Sequence, residues 1–323
     1  MLVPMERTHV DVIHALIRRS EVHDREPLVT PRQEIAEMFD HPYFNPATDG
    51  RVVVLDGEPV AYGRVWHRPS GERLERAYLL GTVDPEHRGR GVGRTLLSWQ
   101  IDRAVEILTA YEHHLPCYLR TSAWDWLTNA HHLYERFGFE PVRWFDELVR
   151  PIKEPVEIAE PPGIQIIPWQ PTSAEEVRLV HNAAFADHWG STPSDAASWN
   201  TMLTGYGMRL DLSFVAMVDE RIVGYALNKC FPEDEELLGR RDGWIGTLGV
   251  LRRARGRGIA SALIAASVKA FRTAGFTHAA IGVDADNPTG AHLLYRRLGF
   301  ELSQRSVTHE RPLAPRPETS AVN

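Results

Sequence analysis

Cysteine is nearly absent: 323 residues hold two, Cys117 and Cys230, one in each half and neither in a C-x-x-C or similar spacing. That excludes a disulfide framework and a cysteine-built zinc site. The 15 histidines fall into no metal-ligand spacing, so no metal is expected. No apolar run reaches the length that crosses a bilayer, and the opening M-L-V-P-M-E-R-T-H-V lacks the basic region and continuous apolar core of a signal peptide. No membrane partner is expected, and the chain reads as cytoplasmic. Positive charge is in deficit, with a formal net charge of -7, which argues against nucleic acid as the partner. The Gly-Lys-Ser/Thr of a Walker loop and the G-x-G-x-x-G of a Rossmann turn are missing as well.

What is present is ordinary for a globular protein in amount, 43% hydrophobic and 24% charged, and unusual in arrangement. The length suits two domains of about 150 residues. One stretch occurs twice. Its clearer copy runs from Trp244 to Leu263, W-I-G-T-L-G-V-L-R-R-A-R-G-R-G-I-A-S-A-L. Ile245, Thr247, Leu248 and Val250 predict a short strand, and Ile259, Leu263, Ile264 and Val268, spaced by three and four, predict a helix with one apolar face. Between them Arg255-Gly256-Arg257-Gly258-Ile259-Ala260-Ser261 places two glycines where the backbone can turn its N–H groups one way at a helix N-terminus. With the helix dipole and the charges of Arg255 and Arg257, this turn is expected to hold a phosphate group. The other copy is Tyr78 to Leu97, where a strand through Gly81, Thr82 and Val83 leads into Arg88-Gly89-Arg90-Gly91-Val92-Gly93-Arg94 and a second helix.

The pattern Arg-x-x-Gly-x-Gly/Ala after a strand ending in valine resembles the acetyl-CoA pyrophosphate loop of the GCN5-related N-acetyltransferases (GNAT). The order of predicted elements in each half is the order of that fold: two helices, then β-β-β-α-β-α-β. The resemblance implies an α/β architecture with a mixed sheet, in two tandem acyl-CoA N-acyltransferase domains. Their expected bounds are residues 1–152, a proline-rich linker at 153–163, residues 164–313, and a loose tail at 314–323. The layout is similar to that of the mycothiol synthases, a tandem branch of the family in which the second half acts.

In that resemblance the backbone of Leu248, Gly249 and Val250 holds the pantetheine arm and acetyl group, as Gly81, Thr82 and Val83 would in the first half. The Arg255–Ser261 and Arg88–Arg94 loops donate N–H groups to the pyrophosphate. The second half continues D-A-D-N-P-T-G-A-H-L-L-Y-R-R-L-G-F, similar to the family motif N-x-x-x-A-x-x-L-Y-x-x-x-G-F. It implies that Asn287 contacts the coenzyme arm and that the Tyr295 hydroxyl lies near its sulfur, where a donor helps a thiolate leave. The first half keeps Tyr134 and Gly138-Phe139 but has Trp126 at the asparagine position. The mycothiol enzymes carry a glutamate six residues before the strand-end valine. Here that residue is Trp244, so Asp242, the acidic run Glu233 to Glu236, and His188 in H-N-A-A-F-A-D-H-W-G become the candidate bases.

The expected function is transfer of an acetyl group from acetyl-CoA, as co-substrate, to a primary amine of a small molecule, by direct attack in a ternary complex. The alternatives are an acyl-CoA binding or sensor module without turnover, and a mycothiol-synthase-like or antibiotic-modifying acetyltransferase. A monomer or weak homodimer is expected.

Overall fold

The computed structural model describes residues 1–70, 72–110, 114–153, 158, 161–286 and 290–313. They form two compact units. One takes Met1–Arg25, Met38–Val142 and the chain from Val307 on; the other takes Glu26–Glu37 and Arg143–Ser306.

The first unit contains β1 (Leu2–Pro4), α1 (Val10–Asp24), α3 (Pro46–Asp49), β2 (Gly50–Leu55), β3 (Glu58–His67), β4 (Glu75–Val83), α4 (Val92–Thr109), β5 (Cys117–Trp124) and α5 (Thr128–Arg136). A short α2 (Arg32–Met38) lies almost wholly in the second unit's share of the chain. The second unit contains most of β6 (Glu140–Pro151), then β7 (Gln165–Pro168), α6 (Ala174–Ala184), α7 (Ala196–Thr204), β8 (Phe214–Val218), β9 (Arg221–Cys230), α8 (Asp234–Leu238), β10 (Asp242–Val250), α9 (Ile259–Thr273), β11 (His278–Asp284) and α10 (Ala291–Arg297). The last strand, β12 (Glu301–Pro312), gives its end from Val307 to the first unit. Strand order is β1-β2-β3-β4-β5 followed by β12 in the first unit, and β6-β11-β10-β9-β8-β7 in the second. The mixed α/β architecture agrees with the sequence reading.

The units do not follow a boundary at residue 152. From Arg143 onward β6 belongs to the second unit, where Phe145–Pro151 pairs antiparallel with β11 from Asp284 back to His278. The backbone groups of β11 on that side therefore find their partners in a strand that precedes the proline-rich stretch. The sequence reading also missed β1 and β7. Each is an edge strand of three or four residues, too short to show a period.

The helix after the second glycine loop shows why these elements form. Ile259, Leu263, Ile264, Val268 and Phe271 of α9 are buried on one face. The helix ends in a Schellman turn: Gly275 at φ 83° donates to the Arg272 carbonyl and Phe276 to the Phe271 carbonyl, and the two phenyl rings meet at 5.6 Å. This packing defines the two faces of the second sheet. A Cβ on Gly243 would lie 2.4 Å from Phe271 Cγ, and Asn228 donates to Ser267 of α9, so these residues face α9. Tyr225 points the other way, its hydroxyl 2.5 Å from His181 Nδ1 on α6.

That geometry predicts a contrast between two glycines. Gly243→Ala should destabilise the protein by about 1–3 kcal/mol, because the phenyl ring it meets is held by the helix cap. Gly282→Ala, with nothing within 4 Å of its Cβ, should stay within about 0.5 kcal/mol of the parent. Urea unfolding midpoints of the two variants check this.

Candidate active site

The two central parallel strands of the second unit begin together and then part. β10 and β11 pair from Asp242↔His278 to Ile245↔Ile281, but β10 runs on to Val250 and β11 to Asp284 without further pairing. At the same level the register of β10 with β9 slips between Ile245 and Thr247, a bulge centred on Gly246. The β11-facing edge of Gly246–Val250 is therefore a row of backbone groups with no strand beside it. The first unit forks likewise: β4 pairs with β5 from Glu75↔Cys117 to Tyr78↔Arg120 and then continues alone to Val83.

Each fork opens towards its glycine loop. Gly256 and Gly258 have φ of 76° and 80°, and Gly89 and Gly91 have 74° and 89°, so the two loops share one left-handed pattern. Gly258 and Gly91 are the N-caps of α9 and α4. The Ala262 amide returns to Gly258 O and the Thr95 amide to Gly91 O. The N–H groups of Ile259, Ala260 and Ser261, like those of Val92, Gly93 and Arg94, belong to a first helical turn and have no intrahelical acceptor. A concave run of N–H groups at the positive end of a helix, beside the exposed Arg257 or Arg90 and Arg94, fits a pyrophosphate.

Arg255 and Arg88 require a correction. The side chain of Arg255, expected to face a phosphate, is engaged with the protein's own backbone: its Nε donates to Val250 O and its Nη2 to Ala184 O, at 3.2 and 2.7 Å. Arg88 likewise donates to Val83 O, Asp24 and Ser20. Their amides are also engaged, with Arg252 O and Pro85 O. These arginines tie the loop to the end of its own strand and to the preceding helix, leaving the amides from the first glycine onward to face a ligand.

Tyr295 is placed by the same kind of cap that ends α9. Gly299, at φ 80°, donates to Arg296 O, and Phe300 donates to Tyr295 O with the two rings at 6.2 Å. The motif Y-x-x-x-G-F is thus a Schellman turn whose hydrophobic contact is the tyrosine ring itself. Tyr134, Gly138 and Phe139 repeat it. Burial pushes the Tyr295 phenol up to about 12, which keeps it protonated at neutral pH. Its hydroxyl has no hydrogen-bond partner among the described residues. Asn287 lies outside the described residues.

Known proteins share this arrangement. The acetyltransferase (GNAT) family pattern matches residues 175–300, and a GNAT acetyltransferase domain matches residues 48–141. A protein named mycothiol acetyltransferase from Frankia alni is 31% identical, over 74% of this chain and 72% of its own. The chain belongs to the GNAT acetyltransferase family. A GCN5-related N-acetyltransferase from Sphaerobacter thermophilus aligns with a TM-score of 0.77 at 26% identity, over 98% of this chain and 96% of that one. A tandem GNAT protein from the clavulanic acid biosynthesis pathway shares the fold at a TM-score of 0.71 and 17% identity, over 98% and 99% of the two chains. Family and relatives identify an acetyl-CoA-dependent N-acetyltransferase.

The three candidate catalytic residues lie on separate elements, with Tyr295 on α10. Asp242 starts β10, four residues before Gly246, or about 13 Å at the usual strand rise. It is held at 3.0 Å through both oxygens by Arg240. His188 follows α6, with Nδ1 3.1 Å from Trp189 O and its ring against Phe185. Trp189 in turn packs on Phe145 and Arg143 of β6. Trp244 pairs with Lys229 and Ala280, on the face opposite Gly243. Of the acidic run, Asp234 receives the Val29 amide, Glu233 the Tyr206 hydroxyl, and Glu235 the Arg241 guanidinium. Two ionisable residues near the fork escaped the sequence reading. Lys229 lies against Gly246, and burial lowers its pKa. Glu147, on β6, pairs with Gly282. Neither stands in a motif, so local sequence carries no signal for them.

The first unit's sheet differs in the paired rows that lead up to its fork. Arg76, Tyr78 and Arg120 lie on the face away from α4, and the buried carboxylate of Glu310 accepts from Arg76 at 3.2 Å and from Arg120 at 2.8 and 2.5 Å. Burial first, then the charge of Arg76, lowers the Arg120 pKa. Tyr134 packs against His309, which in turn lies beside His131, and the displacing Trp126 donates to Asp24 O. Glu310→Gln should destabilise the protein by about 3 kcal/mol, since it removes the buried negative charge that both guanidinium groups donate to. Thermal unfolding, with hydrogen exchange on β4 and β5 to localise the loss, measures it.

Proposed function

We propose that the second unit transfers an acetyl group to the primary amine of a small molecule by direct attack in a ternary complex, and that the first unit binds the coenzyme without turnover. The observation that carries this is the difference between the two forks. Both have the glycine loop, but the paired rows leading up to the first fork carry the buried cluster of Arg76, Arg120 and Glu310, where the last such row of the second, on the face away from α9, carries Trp244 and Ala280.

In this reading the amides from Gly256 to Ser261 hold the pyrophosphate, and those of Leu248 to Val250 hold the arm and polarise the thioester carbonyl. Acetyl-CoA supplies an activated acyl group with a thiolate leaving group. Tyr295 keeps its proton until the sulfur needs it. The fork orients amine and carbonyl and so supplies much of the acceleration.

The relatives named mycothiol acetyltransferase make the amine precursor of mycothiol the first acceptor to try. With tryptophan at position 244, which can neither ionise nor accept a proton, the acceptor is proposed to differ from theirs.

Calorimetry with acetyl-CoA should find two sites. Gly258→Glu should remove one and Gly91→Glu the other, because each brings a negative charge and a strained φ to a phosphate cradle. Thiol release with a panel of amines should survive Gly91→Glu and fail in Gly258→Glu. Tyr295→Phe should lower kcat by roughly ten- to a thousandfold and Tyr134→Phe far less. Equal, small losses would place the chemistry elsewhere.

A further inference from the structure

The second unit needs a group to take the proton from its attacking ammonium, and Trp244 occupies the position where a carboxylate was expected. The strand register points to another. On the face away from α9, Trp244 pairs with Ala280, which pairs with Val149 of β6. The next row on that face begins with Gly246, where the fork opens, passes to Gly282, and ends at Glu147, the partner of Gly282. Asp146 faces the other way, its carboxylate 3.0 Å from His292 of α10, so Glu147 projects onto the face of the fork.

This row is a trough with a glycine floor. A Cβ on Gly282 would meet nothing within 4 Å, and one on Gly246 would lie 3.2 Å from Lys229 Cδ. Lys229 forms one wall and Glu147 the other. Phe145, two residues before Glu147, carries Trp189 at 6.5 Å and extends the second wall. No side chain of β10 or β11 stands in this row between Glu147 and the open edge of β10.

We propose that Glu147 is the proton acceptor for the amine, directly or through a water in the trough, so that the second unit works with a base supplied by a strand from the first half of the chain. This rests on the acetyltransferase reading above. The ammonium gives one proton to Glu147. Nitrogen then bonds to the acetyl carbon as the carbon–sulfur bond breaks, Tyr295 protonates the sulfur, and the remaining surplus nitrogen proton returns to the tyrosine through solvent. The net yield is amide, thiol and one released proton.

The surroundings of Glu147 suit the task. The Gln304 amide of β12 donates to Oε2, while Oε1 has no donor among the described residues. Burial above all, and Asp242 to a lesser degree, raise its pKa, against the lowering effect of Gln304 and Arg240. Asp284, farther along the same face, lies 3.3 Å from Arg143, and Lys229 faces Glu147 across the floor. A carboxyl raised towards neutrality is a better base than an ordinary glutamate. Lys229, whose pKa burial lowers, is the competing base in the trough.

The test uses the full chain, an amine that supports thiol release, and kcat from about pH 5 to about pH 10. Glu147→Gln should lower kcat by roughly a hundred- to a thousandfold and erase the acidic limb, leaving the KM for acetyl-CoA within about twofold. Glu147→Asp should retain the limb. Gln304→Leu should move it to higher pH, since a donor to the charged form is lost. A raised folded pKa means the protonated carboxyl's contribution to stability is lost as pH rises through that value. Glu147→Gln should therefore melt no lower than the parent above that pKa, which a merely structural hydrogen bond would not allow. A limb kept in Glu147→Gln, or erased by Lys229→Met instead, overturns the assignment. A chain that binds acetyl-CoA but releases no thiol with any amine overturns the acetyltransfer reading, and Glu147's role with it.

Discussion

Everything at the candidate site follows from one constraint: two parallel strands stop pairing after Ile245↔Ile281 while both continue. A backbone amide or carbonyl left without a partner inside a protein is costly, so an unpaired strand edge needs water or a ligand. The bulge at Gly246 turns β10 away at that level, and the glycine loop beyond Val250 places a second set of unpaired amides at the far end of the edge. A long, thin ligand with acceptors along its arm and a phosphate group at one end answers both. Arg255 and Arg88 hold this geometry, each tying a loop back to its strand and to the preceding helix.

The loops, the strands before them and the helices after them were legible because each signal is local. A positive φ demands glycine, a first helical turn demands unpaired amides, and the apolar face of α9 repeats by three and four. The Y-x-x-x-G-F ending was legible too, and its physical meaning is a helix cap that fixes the tyrosine. The role given to Arg255 was not legible. Charge in a loop says nothing about the direction of the side chain, and here two backbone carbonyls accept from it.

What sequence order hid was the partnership of β6. The β-β-β-α-β-α-β order makes this strand the last of the first domain, and its period is the same whichever sheet receives it. In the structure it pairs with β11, which places Glu147 on the face of the second fork and Asp146 on the opposite face. Register decides this, and register is a long-range property. The same exchange gives Glu310, near the chain's end, to the first unit, where it neutralises Arg76 and Arg120. Tandem repetition thus produces two sheets that each need a strand from beyond their own stretch of chain, and the two repeats have diverged in what those strands carry.

The position of acetyl-CoA in the second unit is the most direct test. A crystal structure of the full chain grown with acetyl-CoA should show pyrophosphate density on the amides from Gly256 to Ser261, the arm along Leu248 to Val250, and the sulfur beside the Tyr295 hydroxyl. Coenzyme held in the first unit alone, or lying in the second away from the parted edges of β10 and β11, would contradict it.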